Sequence, residues 1–166
     1  MRQNIILRTI YIITYICTST CRVFFLFSDD QKTNVYFYAE LSSSISLNKN
    51  SIVKFDVELV DEGNSFNSGD GIFVAPVAGV NMFSWTIQMN SNQNTNTELR
   101  VDNVVKGRQL TDMPTASYLG TTRLVLCDVK KGDHVWIQTA SSYTDNNFLE
   151  IHCSRSSFLG LLIRGK

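Results

Sequence analysis

Ile52-Val53-Lys54-Phe55-Asp56-Val57-Glu58-Leu59-Val60 is the stretch whose reading decides the fold. Drawn as an extended chain, it puts Val53, Phe55, Val57 and Leu59 on one face and Lys54, Asp56 and Glu58 on the other. A two-residue period of this kind marks a strand with one face in a core and one in water. A helix would scatter the same side chains around its circumference.

The pattern recurs on both sides. Residues 35–41 alternate and give a first strand. Two turn clusters, Asp61-Glu62-Gly63-Asn64 and Asn67-Ser68-Gly69-Asp70-Gly71, follow the decisive stretch, with Phe66 between them as an apolar plug in a loop. Gly71-Ile72-Phe73-Val74-Ala75-Pro76 is a short strand that Pro76 ends, because proline cannot donate to a ladder. In residues 80–89, Phe83, Trp85 and Ile87 oppose Met82, Ser84, Thr86 and Gln88. Residues 98–106 read as two short strands around an Asp102-Asn103 turn. Residues 124–129 alternate again. Lys130-Lys131-Gly132-Asp133 turns the chain, and Val135, Ile137 and Thr139 then oppose His134, Trp136 and Gln138. Residues 148–153 and 158–164 supply the last strands, while 42–50, 90–96, 109–120 and 141–147 read as polar loops. No stretch of helical period exceeds about two turns. Some ten short strands at this spacing imply an all-β sandwich or jelly roll.

The chain has 166 residues, enough for one domain with a short leader. Its formal charge is zero, which argues against a nucleic-acid partner, since such a partner needs a basic face. Arg2 and Arg8, an apolar run over 9–17 and the small residues Thr18-Ser19-Thr20-Cys21 have the form of a signal peptide over 1–21. The competing reading is an uncleaved anchor over 5–27, which Arg8 and Arg22 interrupt. Cleavage leaves 13 basic against 15 acidic residues, a linker over 22–34 and a domain over 35–166. It also leaves Cys127 and Cys153, which in an oxidising compartment could pair or stay as two small buried thiols.

Three separated blocks resemble the globular head of complement C1q. The first is Phe55, Phe66, Gly71, Phe73, Pro76, Gly79 and Phe83, in the order and near the spacing of that family. The second is Gly132-Asp133 followed by Trp136; the third is Ser157-Phe158-Leu159-Gly160-Leu161-Leu162. With no Gly-X-Y tract, the chain is most similar to the short secreted C1q-domain proteins of bivalves, which lack a collagen stem. Asn81 departs from the family pattern, which has an aromatic or Val-type residue there. The resemblance implies a ten-strand jelly roll of two five-stranded antiparallel sheets, as in C1q and tumour necrosis factor ligands. It implies an extracellular homotrimer whose apolar strand faces meet at a three-fold axis, with Gly160 packed near that axis. It further implies pattern recognition of repetitive carbohydrate or other microbial surface ligands in innate immunity; the alternative is a cytokine-like or organiser ligand of a receptor protein. Family members often bind calcium, and Asp102, Asn103 and Asp112 are similar to that ligand set in order. The same residues also read as a turn pair and a loop cap.

Each motif residue has a structural reason. Phe55, Phe73, Phe83 and Phe158 can fill the space between two sheets, and the glycines allow turns or close approach. Enzyme chemistry finds little material. His134 and His152 lack metal-ligand spacing, and no Gly-x-Ser-x-Gly elbow, phosphate-binding glycine loop or Asn-x-Ser/Thr sequon occurs. Arg108, Tyr118 and Tyr143, placed in polar loops, are candidates for sugar contact.

Overall fold

The computed structural model describes residues 34–166 except 91–92, 114–117, 143–144, 146, 149 and 152–153. The leader expected over 1–21 and nearly all of the linker therefore lie outside the described residues. The strands are β1 (Tyr36–Glu40), β2 (Ile45–Ser46), β3 (Val57–Glu62), β4 (Phe66–Asn67), β5 (Ile72–Val74), β6 (Gly79–Asn90) and β7 (Gln93–Val101). They continue as β8 (Val104–Met113), β9 (Tyr118–Val129), β10 (His134–Thr139), β11 (Asn147–Phe148), β12 (Glu150–Ile151), β13 (Ser154–Arg155) and β14 (Ser157–Gly165). Ten of them form two five-stranded sheets, β3-β1-β14-β6-β9 and β4-β5-β10-β7-β8, and the other four make two small ribbons, β11-β2 and β12-β13. All named pairings in both large sheets are antiparallel. The all-β two-sheet jelly roll is thus observed.

The inward faces meet on an aromatic cluster. Phe37 stacks on Phe66 at 4.5 Å and meets Phe158 edge-on at 4.9 Å, and Phe73 meets Phe83 edge-on at 5.7 Å. Phe55 lies 5.7 Å from Phe158. Each such pair adds to the area that the rings already remove from water. Phe66 is a core ring on β4, not a plug in a loop. Gly71 is required twice over: its φ is +77°, and a Cβ there would press on the Val53 carbonyl oxygen at 2.6 Å. Gly160 corrects the expectation of a place near a three-fold axis. It faces inward, and a side chain there would collide with the Phe37 and Phe83 rings.

Several boundaries differ from the sequence reading. Val53 and Phe55 are buried in extended chain ahead of the ladder, which begins at Val57. A register shift opposite Tyr38/Ala39 then breaks the alternation, and Leu59 ends 57% exposed on an edge strand. Residues 93–96 and 109–113 are strand, not loop, as are 118–120. Asn and Asp are weak strand formers, but β6–β9 and β7–β8 are long ladders whose backbone pairing overrides local preference. The Asp102-Asn103 turn is observed as a two-residue hairpin joining Val101 to Val104, with Asp102 at φ +49°. Gly132, at φ +87°, turns β9 into β10, and Lys130 N donates to the Asp133 carboxylate at 2.9 Å.

Candidate functional site: an outward apolar sheet face

The outward face of the first sheet can be read row by row from its registers. One transverse row runs Tyr36, Leu161, Met82, Leu126 across β1, β14, β6 and β9. The next runs Val60, Tyr38, Leu159, Ser84, Leu124 and adds the edge strand β3. Alternation aims these side chains away from the aromatic core, because Phe37, Phe158, Phe83 and Trp85 occupy the intervening inward positions. Leu124 is 52% exposed and Leu126 60% exposed in the single chain. Met82, Leu159 and Leu161 are half-buried beside them. A continuous apolar surface on four adjacent strands is what an association face requires and what a solitary soluble domain avoids.

Toward the other end the same face turns polar. The third row is Glu40, Ser157, Thr86, Thr122. The Thr86 and Thr122 hydroxyls share a 2.8 Å hydrogen bond, and the Tyr38 hydroxyl donates to Glu40 at 2.8 Å. Burial, then the Glu40 carboxylate, holds the Tyr38 phenol above its ordinary pKa. Arg155 lies 3.8 Å from Glu40. Tyr38, Glu40, Thr86, Arg155 and Ser157 line a shallow depression of about 460 Å³ with Gln88 and Ser154. Nearby, Ser42 donates its amide and hydroxyl to Asp56; burial would raise this carboxyl, but those two donors outweigh it and hold it below the usual range.

The outward face of the second sheet is different in kind. Glu98 accepts from Arg108 Nε at 2.9 Å and lies 3.5 Å from Arg100, and Trp136 Nε1 donates to Gln138 at 3.0 Å. Arg108 is therefore a strand residue paired with Glu98, not a loop residue. Tyr118 opens β9 and is exposed; Tyr143 and His152 lie outside the described residues. His134 sits 3.7 Å from Asp102 at the hairpin end of the sheet.

The calcium set does not assemble. Asp102 and Asn103 form the hairpin tip, whereas Asp112 pairs with Asn94 at the far end of the same ladder. Eight residues of strand separate Asn103 from Asp112, roughly 27 Å at strand rise, too far to share an ion within one chain. Among the described residues, no group of three His, Cys, Asp or Glu side chains converges. Cys127 is a free, half-buried thiol on β9 whose pKa burial pushes up, so the alternative of a small packed thiol describes it. Cys153 lies outside the described residues.

Two stacked five-stranded sheets in this order, closed on a phenylalanine core, define the jelly roll shared by C1q heads and tumour necrosis factor ligands. The C1q-domain family model matches residues 36–163, and the chain belongs to that family. Complement C1q tumor necrosis factor-related protein 2 of Mus musculus is 29% identical over 114 residues, which are 67% of this chain and 37% of the mouse protein. The chain thus spans little more than a third of that relative. The solved globular domain of zebrafish complement 1qA protein superposes with a TM-score of 0.66 at 19% identity, covering 80% of this chain and 99% of that one. The tumour necrosis factor Eiger from S. frugiperda gives 0.58 at 10% identity, covering 81% and 95%. Among the described residues no helix is long and apolar enough to cross a membrane.

Proposed function

We propose that this chain is a secreted binding protein that forms a homotrimer through the outward face of its first sheet. Three copies of a weak site then gain avidity on repetitive carbohydrate or other microbial surface ligands. The observation that carries this reading is the pair of rows ending in Leu124 and Leu126, exposed among the described residues, which association removes from water. Trimeric assembly of C1q homologues supports it. A cyclic three-fold contact suits a face whose one end is apolar and the other polar, since each copy presents the same gradient to the axis.

The test is a glycan array probed with the intact chain and with its Leu124→Asp/Leu126→Asp variant, each with and without chelator. Retention on repeated glycans that weakens in the variant is the expected result. Chelator is expected to change little, because Asp102 and Asp112 lie at opposite ends of one hairpin. Background signal in every condition removes the carbohydrate reading. The receptor-ligand alternative draws on the partial likeness to the tumor necrosis factor-related relative, and a cell-surface binding screen separates it.

A further inference from the structure

The space between the sheets is not uniformly apolar. Where β8 and β9 close the sandwich, inward positions carry hydroxyls and amides. Gln109 Nε2 donates to Thr121 Oγ1, the Thr111 and Thr121 hydroxyls share a 2.6 Å hydrogen bond, and Trp85 Nε1 donates to Thr97 Oγ1 at 2.8 Å. These bonds tie one sheet to the other, because Trp85 and Thr121 belong to the first and Thr97, Gln109 and Thr111 to the second.

Beside them, three side-chain oxygens are buried with no hydrogen-bond partner: Gln93 Oε1, Thr95 Oγ1 and Gln109 Oε1. Thr95 is 1% exposed and Gln109 8%. Gln93, Thr95 and Thr97 alternate on one face of β7, and the ladder pairs Thr97 with Gln109 and Thr95 with Thr111. Thr95 and Gln109 are therefore diagonal neighbours, with backbones about 7–8 Å apart on the same face. Neither oxygen has a direct partner, so a small molecule between them is what would join the pair.

The donor count identifies that molecule. Two of the three atoms are amide oxygens, which only accept, so they cannot satisfy each other. The third is a hydroxyl, which donates once. For the neighbouring pair, a group that donates to Gln109 Oε1 and accepts from the Thr95 hydroxyl completes the set, and water does this within the usual count for a buried site. We propose that the β7–β8–β9 seam holds an ordered internal water bridging Thr95 Oγ1 and Gln109 Oε1. The site makes water a structural component of the contact between the sheets.

A high-resolution crystal structure of the unmodified chain tests this directly. Density for a water within about 3.2 Å of both Thr95 Oγ1 and Gln109 Oε1 is expected. Its absence, with the two side chains in place, overturns the proposal. In solution, the near-isosteric variant Thr95→Val gives an independent reading. A bridged hydroxyl makes the substitution lower Tm by about 3–5 °C. An unbridged one was only a desolvation cost, so a Tm equal to or above the parent's contradicts the water.

Discussion

The two outward faces of this sandwich solve opposite problems. On the second sheet the charged and indole groups find partners within the chain: Glu98 takes two arginines, and the Trp136 indole finds Gln138. On the first sheet, Leu124, Leu126, Leu161, Met82 and Tyr36 stand side by side, and among the described residues no strand lies above them. The first arrangement pairs its charges within one chain, whereas the second leaves its apolar side chains exposed. Both lie on the same kind of ladder, so backbone pairing does not distinguish them. The difference lies in the outward residue of each pair.

Four changes would break or sharpen that contrast. The largest effect is expected from Leu126→Asp, which puts a charge among apolar neighbours. Self-association should weaken by at least about 100-fold, since burying an unpaired carboxylate costs several kcal/mol. Leu110→Asp is its control: Leu110 is 60% exposed on β8, and no change in association is expected. Analytical ultracentrifugation reads both. Next comes Glu98→Gln, which leaves Arg100 and Arg108 without their carboxylate. It should lower stability by about 1–3 kcal/mol in a denaturant melt while leaving assembly intact.

Thr86→Val is smaller. It removes the Thr86–Thr122 bond at the polar end of the first face, and a loss of about 0.5–1.5 kcal/mol is expected. The smallest effect is alkaline. Tyr38 holds its phenol proton more tightly in the folded chain, chiefly through burial and then through Glu40. Its contribution is thus full below the ordinary phenol value of 10.0 and lost as pH rises through the raised value. Tyr38→Phe should flatten that part of the pH–stability curve.

What the sequence disclosed follows from how local each feature is. Phe55, Trp85 and Ile87 announce their burial by alternating with polar neighbours a residue away, so the two-sheet core was legible. Residues 93–96 and 109–113 were missed because their strand character comes from cross-strand pairing, which their Asn, Gln and Asp residues do not advertise. Leu59 was misplaced because the register shift opposite Tyr38 has no signature in its own strand. The apolar face was expected from family resemblance, but its residues were not, since Tyr36, Met82, Leu126 and Leu161 become neighbours only through the strand order. A run of outward leucines, Leu124 and Leu126 beside inward Val125, was the available clue. The calcium expectation failed for the converse reason: residues close in sequence were carried to opposite ends of one hairpin.

The central claim is that the first sheet's outward face is covered by two further copies of the chain. Sedimentation equilibrium of the intact protein at micromolar concentration measures this most directly. A mass of three chains for the parent, falling to one for folded Leu124→Asp/Leu126→Asp, is the expected result. A folded parent that sediments as a single chain would contradict the account.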